Sequence, residues 1–551
     1  MLKNINKICR GSIPVLLILA IALFARLVLF FHDVTIDNDG IAYGLAGKNL
    51  VESGKYEVYG DPLLIYPPVY PIAIGIVDHF SGNLLFSGRF VSLLFGMLLV
   101  YAFYAFGKKL YGKEAGLFAS FFAATNYSLV AYSSVTRSEM IYLFILALIL
   151  YVYILLIEKC EDAKAAVLGS LMAALYLTRP EGLLMWILPI LLFYKLLKKT
   201  NIYAALRSLA IIFLSFMIIS APYIYFLYEN TGRVELTEKT NSNVIPAVIF
   251  GGSAIEDLSG EKWLKYEKSR DYYDEDTNTI IDYKEYSNGD AVSYVLKKPD
   301  IILNNYVRGI KSEISILFIE HGISLILLPL LLSFLFLFKK TKERESVAVL
   351  LLVAILYLMI IPVFHIESRY MLQVLVFLIL ISSLGYSFRT ERGIKVLGIE
   401  FNGGDFFRIF RTITLFLVMI QFAFSIVNIY KQDDGKFYPW EYRLAGEFIG
   451  KYDTKENGVL IMSRNSYIIS YYANAGNSGI RMPYADVPSI IRFARENKAN
   501  YIVIDERFLS VRENYDELWK LDRFSNDAEL IFEDSSVMPI RIFRFRDANE
   551  N

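Results

Sequence analysis

The sequence predicts a polytopic α-helical membrane protein with a small extracytoplasmic α/β domain at its C-terminus. Three observations carry this expectation. Apolar runs of about twenty residues recur along the 551 residues, each long enough to cross roughly 30 Å of hydrocarbon. The chain is 55% hydrophobic, with 56 basic against 56 acidic residues, which excludes a basic nucleic-acid binder and does not suit a soluble enzyme. Lys and Arg beside the runs fall in alternate loops, as the positive-inside rule requires.

About eleven spans follow, near 13–31, 86–106, 114–132, 139–158, 164–178, 181–196, 206–228, 321–338, 347–364, 370–388 and 412–430. The first follows Lys3, Lys7 and Arg10. It is too long for a signal-peptide core and has no small-residue cleavage site, so it reads as a retained anchor. Val69–Phe80 is apolar but too short to cross, and reads as an interfacial or re-entrant segment. Cys9 and Cys160 both adjoin expected cytoplasmic ends, so no disulfide framework is available to an outside domain.

With the N-terminus cytoplasmic, the dense basic clusters share one side: Lys108, Lys109 and Lys113, then Lys195, Lys198 and Lys199, Lys339, Lys340, Lys342 and Arg344, and finally Arg389 to Arg411. The other side receives loops 32–85 and 229–320, the turns at Arg137 and Arg179, and everything after about 431. The chain therefore divides into a membrane module, 1–430, and an extracytoplasmic soluble domain, 431–551. An amphipathic helix near 301–317 suits the membrane surface. In the tail, Val459–Met462 and Tyr501–Ile504 read as buried strands, 488–498 as a helix, and 529–545 as further strands.

Chemistry concentrates where spans meet the outside. Asp37 and Asp39 stand at the exit of the first span, where carboxylates offer no packing and cost desolvation. Gly40 after Asp39 suggests a helix starting with Asp39 as cap, and Tyr43 four residues on shares its face. A solvated cap plus a loop carboxylate is the plain alternative to a general base or metal ligand. Arg137-Ser-Glu139, Arg179-Pro-Glu181 and Glu367-Ser-Arg369-Tyr370 each open or close a span at this boundary. A single arginine there is commonly a snorkelling side chain, but three arginine–carboxylate groups at one level suit bidentate phosphate recognition. His321 and His365 lie at the same level. Tyr66-Pro-Pro-Val-Tyr-Pro71 reads as a rigid turn, a signature more than a chemical group.

The ordered set resembles the GT-C superfamily of polytopic glycosyltransferases. The likeness is to the branch of dolichyl-phosphate-mannose–protein mannosyltransferases and the lipid A aminoarabinose transferase. The matching elements are Asp39-Gly-Ile-Ala-Tyr43 leading into Ala46–Leu50, Tyr66–Pro71, Arg89, Glu139, Leu177-Thr-Arg-Pro-Glu-Gly182 and Glu367-Ser-Arg-Tyr370, spread over residues 10–430. The resemblance implies an inverting transferase that takes a sugar from a polyprenyl phosphate on the extracytoplasmic side. It implies Asp39 as catalytic carboxylate and Glu139 as second acid. Asp37, Tyr43, Arg137, Arg179, Glu367, Arg369 and Tyr370 would then bind substrate. Many relatives have Asp-Glu where this chain has Asp39-Gly40. The Trp-Trp-Asp signature of the oligosaccharyltransferase branch is absent, which disfavours en-bloc transfer to asparagine.

No cofactor is expected to be required. Were a divalent cation held, Asp37, Asp39 and Glu139 offer the hard oxygen ligands that Mg²⁺ or Mn²⁺ takes. The expected partners are the lipid-linked donor, a glycan, protein or lipid acceptor, and the bilayer. The competing expectation is a transporter or flippase of lipid-linked sugars, which would place its charges near the midplane. The transferase reading requires Asp39 and the guanidinium groups to share one pocket.

Overall fold

A computed structural model describes residues 2–32, 35–199, 202–238, 272–274, 279–281, 299–334, 342–364, 368–387, 394–396, 399–401, 403–431, 439–453, 458–510, 514–521 and 528–546. Each expected span overlaps helix among the described residues, that at 321–338 through only a short turn and Leu327–Phe334. Seven described segments are long and apolar enough to cross a membrane: Ile13–Phe30, Leu84–Tyr111, Glu139–Glu158, Pro180–Lys198, Ile202–Thr231, Glu343–Pro362 and Ser368–Ser387. The rest differ in form. The expected span 114–132 is broken into α5 (Lys113–Thr125) and α6 (Tyr127–Tyr132), with the Asn126 side chain capping α6 by accepting from the Leu129 amide at 3.1 Å. The expected span 164–178 is a 15-residue helix, Asp162–Tyr176. Most of the 229–320 loop, including Trp263, lies outside the described residues.

The break at Asn126 depends on a charge that sequence pattern did not flag. Arg26, on α1 (Leu2–Phe30), is fully buried and donates to the carbonyls of Ala22, Ala123 and Ala124 at 3.2–3.3 Å and to Ser133 Oγ at 3.1 Å. Carbonyls left open at a helix end inside a bundle need such donors, because no water reaches them. Among the expected spans an ionisable residue at this depth looks out of place, and its use is structural.

Two helices then bring the first loop onto the bundle. These are α2 (Asn38–Ser53) and α3 (Val69–Ser81), whose 13 residues are too short to cross, as the sequence indicates. They meet at Gly47 and Gly75. A Cβ on Gly47 would fall 2.0 Å from the Pro71 carbonyl oxygen, and one on Gly75 would fall 2.2 Å from that of Gly47. Backbone is in contact with backbone, so neither side can yield. Gly47→Ala is therefore expected to cost about 1–3 kcal/mol. A thermal unfolding midpoint unchanged from wild type in detergent would contradict this packing.

The tail folds into a five-stranded mixed sheet. Its order is Ala528–Asp534, Ile540–Phe545, Tyr501–Asp505, Ile461–Ser463, Ile480–Arg481. The first two neighbouring pairs are antiparallel and the last two parallel. Alternate residues of the central strands serve two cores, which explains their unbroken apolar runs. Met462, Ile502, Ile504 and Phe543 face the helix Val487–Glu496. Ile461, Tyr501, Val503 and Ile542 join a core that also contains Ile36 and Ile41 from the first loop and the start of α2. The Ile36 amide donates to Tyr472 Oη at 2.9 Å. The tail is thus packed directly over the acidic loop.

Candidate active site

The loop positions its two acids differently from the sequence expectation. Asp37, not Asp39, is the cap of α2: its backbone is extended, with φ −91° and ψ 176°, and its Oδ1 accepts from the Gly40 amide at 2.7 Å. Asp39 falls in the first helical turn, where its charge suits the helix N-terminus and its oxygens are free for other partners. Gly40 is also explained. A Cβ there would meet Ile36 at 2.8 Å, the Asp37 carboxylate at 3.0 Å and Thr136 at 3.3 Å. Any side chain here would have to displace Ile36 and the capping carboxylate.

Asp39 is the centre of the site. Its Oδ1 accepts from Tyr66 Oη at 2.7 Å, and its Oδ2 accepts from Arg137 Nη1 and Arg369 Nη1, each at 2.8 Å. Arg137 also pairs with Asp37. Asp39 keeps 21% of its side chain exposed and Arg137 22%, so the cluster opens to ligand. Burial pushes the Asp39 carboxyl up, but the Arg137 and Arg369 charges and the Tyr66 hydrogen bond together hold it well below the usual carboxylate range. At Asp37 burial outweighs the Arg137 charge and raises the carboxyl above its ordinary value.

A second ion cluster adjoins the first. Arg179 Nη1 donates to Glu139 Oε1 at 2.7 Å, and Arg179 Nε lies 3.6 Å from Glu181 Oε2. Both members of the first pair are sealed, at 6% and 3% exposure. Glu139 opens α7 (Glu139–Glu158), and its Oε2 is buried with no hydrogen-bond partner among the described residues. Arg179 precedes Pro180 in extended backbone, which delivers its side chain away from the following turn. The Tyr370 ring joins the two clusters, with the Arg179 guanidinium 4.7 Å and that of Arg369 5.4 Å from its centroid. Tyr43, on α2, is buried against Tyr66 and Tyr70, at 4.7 and 5.1 Å between ring centroids.

The structure brings Asp37, Asp39, Tyr43, Glu139, Arg137, Arg179, Arg369 and Tyr370 to one place. Glu367 and His365 lie outside the described residues. The candidate metal set is not gathered: among the described residues no three His, Cys, Asp or Glu side chains group as ligands. Arg137 ties Asp37 to Asp39, while Glu139 turns to Arg179, so guanidinium groups occupy oxygens that a cation would use.

Three residues that the sequence reading named take roles it did not assign. Tyr66, read as part of a turn, bonds the central carboxylate. Its loop is fixed by Tyr56 Oη donating to the Tyr66 carbonyl at 2.7 Å and by the Val69 amide donating to the Leu177 carbonyl at 2.9 Å. Arg89 donates to the carbonyls of Ser134, Leu29 and His32, so it ties the loops rather than the ligand. His321 is fully buried. Its Nε2 lies 2.9 Å from the Ser368 carbonyl and its Nδ1 2.8 Å from Ser128 Oγ. The carbonyl must accept, so Nε2 carries the proton and Nδ1 accepts from the serine. His321 therefore fixes the residue preceding Arg369. His321→Ala is expected to lower activity about 10- to 100-fold through Arg369 misplacement, with His321→Gln less affected. Equal activity of all three proteins at equal folded amounts would remove this role.

A bundle of apolar helices, a capped acidic helix at the exit of the first span and guanidinium groups at the ends of later spans make up a membrane protein whose fold is similar to that of solved GT-C glycosyltransferases. Residues 66–226 match the profile of the dolichyl-phosphate-mannose-protein mannosyltransferase family. The structure is similar to ArnT from Cupriavidus metallidurans bound to undecaprenyl phosphate, with TM-score 0.59 and 9% identity over 96% of this chain and 98% of that one. It is also similar to the Archaeoglobus fulgidus oligosaccharyltransferase in complex with zinc and sulfate, with TM-score 0.52 and 12% identity over 95% of this chain and 72% of that one. The oligosaccharyltransferase AglB of the same organism, in complex with an inhibitory peptide and a dolichol-phosphate, matches with TM-score 0.50 and 12% identity over 97% and 74%. No curated protein matches the chain in sequence.

Proposed function

We propose that this protein is an inverting glycosyltransferase that moves a sugar from a polyprenyl-phosphate donor to a hydroxyl-bearing acceptor on the extracytoplasmic side. The observation that carries the reading is Asp39 held by two arginines at 2.8 Å, one beside the start of α7 and the other opening the helix Ser368–Ser387. That places an acid and its counter-charges at the ends of spans, the depth at which a lipid phosphate presents itself. The donor class follows the undecaprenyl phosphate and dolichol-phosphate of the similar folds. Sidedness follows the Lys/Arg distribution.

The site without donor is self-neutralised, because Asp39 answers the charges of Arg137 and Arg369. A donor phosphate competes for the same guanidinium forks. Once the phosphate takes Arg369, Asp39 loses a counter-charge and its basicity rises toward that needed to accept a proton. The acceptor oxygen then attacks the anomeric carbon and gives its proton to Asp39. The carbon–oxygen bond to phosphate breaks, its electron pair leaves with the phosphate, and the anomeric centre inverts. Arg369 and Arg137 stabilise the anion that departs, while Glu139 holds Arg179 in place. Transfer should survive exhaustive chelation, since guanidinium groups supply the positive charge.

The division into a membrane module, 1–430, and a tail, 431–551, belongs to the same reading. Release of free polyprenyl phosphate when purified protein meets a lipid-linked sugar and an acceptor tests it. A flippase moves the donor intact and releases none.

A further inference from the structure

The first loop carries a turn that the chemistry so far leaves unused. Strands Glu57–Val58 and Asp61–Pro62 pair antiparallel across a two-residue turn, Tyr59-Gly60. Both turn residues have positive φ, 54° and 94°. Such turns favour Asn-Gly or Gly-Gly, and a bulky ring at the first position is strained. The ring has a counterpart in the tail. Tyr467, on the helix Ser466–Tyr472, meets Tyr59 edge-on, with centroids 5.6 Å apart and an interplanar angle of 82°.

Two features set this pair apart from ordinary packing between the loop and the tail. Both rings are only half-buried, and neither hydroxyl has a hydrogen-bond partner among the described residues. The pair also lies beside the acidic loop: Tyr467 packs against the core that contains Ile36 and Ile41, the residues on either side of Asp37 and Asp39. Tyr472 of the same helix, by contrast, is committed to the Ile36 amide. Asp39 itself is bonded by Tyr66, whose ring packs on Tyr43.

We infer that Tyr467 and Tyr59 form a subsite for a sugar ring, set over Asp39 by the tail. Aromatic faces suit the C–H face of a pyranose or furanose, and two unbonded phenols suit its hydroxyls. The inference rests on the transferase reading and adds where the sugar lies. The ring is either the donor's or the acceptor's, and the experiment separates them.

Full-length protein in lipid nanodiscs is given undecaprenyl phosphate, undecaprenyl-phosphate-linked mannose, glucose and arabinose, and mannobiose as a soluble glycan. Wild type, Tyr467→Phe, Tyr467→Ala and Tyr59→Ala are compared, with thermal unfolding as the check on folding. With a donor ring in the subsite, a sugar lipid binds about 10-fold more tightly than bare lipid phosphate. Tyr467→Ala and Tyr59→Ala erase that gain without weakening the bare lipid, and Tyr467→Phe keeps most of it. With an acceptor ring, the lipid pair is unchanged and mannobiose binding falls about 10-fold in the alanine variants. Folded alanine variants that retain both the sugar gain and mannobiose binding overturn the subsite. So does a wild type that shows neither. Failure of wild type to bind undecaprenyl phosphate strikes the donor reading instead, while the mannobiose arm still decides the subsite.

Discussion

Asp39→Asn is expected to abolish transfer, by about 10³-fold or more, at unchanged protein level. The amide keeps the shape and can still accept from Tyr66, but it neither takes a proton nor balances Arg137 and Arg369. Undecaprenyl phosphate should still bind, since removing the competing carboxylate leaves both forks to the phosphate. Loss of turnover with retained lipid binding is the signature sought. Full turnover in Asp39→Asn would reject the base. The same variant has a pH signature. The folded-state Asp39 carboxyl lies below its unfolded value, so its contribution to stability is present above the ordinary carboxylate range and is lost as pH falls toward the folded value. The melting temperature of wild type should exceed that of Asp39→Asn near neutral pH, and the gap should narrow as pH falls below about 4. A gap that widens on acidification would show that the arginines do not hold the carboxylate ionised.

Arg369→Ala is expected to cost about 10²-fold in kcat/KM and to weaken undecaprenyl phosphate binding about 10-fold. Arg369 touches Asp39 at 2.8 Å and stands against Tyr370, so it presents a directed fork and not a diffuse charge. Arg369→Lys should accordingly restore part of the binding and little of the turnover. If Arg369→Ala binds the lipid and turns over like wild type while Arg179→Ala does not, the phosphate seat moves to Arg179.

Much of this site is legible in the sequence because the membrane restricts where charge is affordable. Asp39, Arg137, Arg369 and Glu139 stand out as polar residues at the ends of apolar runs, and the structure unites them. The cap went to the wrong acid because Asp37 and Asp39 both precede Gly40 closely, and only backbone geometry shows which one accepts its amide. Tyr66 stayed hidden because its partner lies 27 residues away across a proline turn, beyond any helical or strand period. His321 and Arg26 were hidden for the same reason, since their partners lie 47 to 193 and up to 107 residues away. The strands of the tail were readable from their apolar runs. That one face of the sheet would be completed by Ile36 and Ile41 was not, because those residues look like the ordinary flank of an acidic loop.

That shared core has a bearing on biosynthesis. Ile36 and Ile41 leave the ribosome well before Val503, Ile540 and Ile542, which share their core. The stretch holding Asp39 therefore lacks part of its covering core until the strands of the tail are made and close over it. The acidic loop is thereby completed late in synthesis, by partners far along the chain.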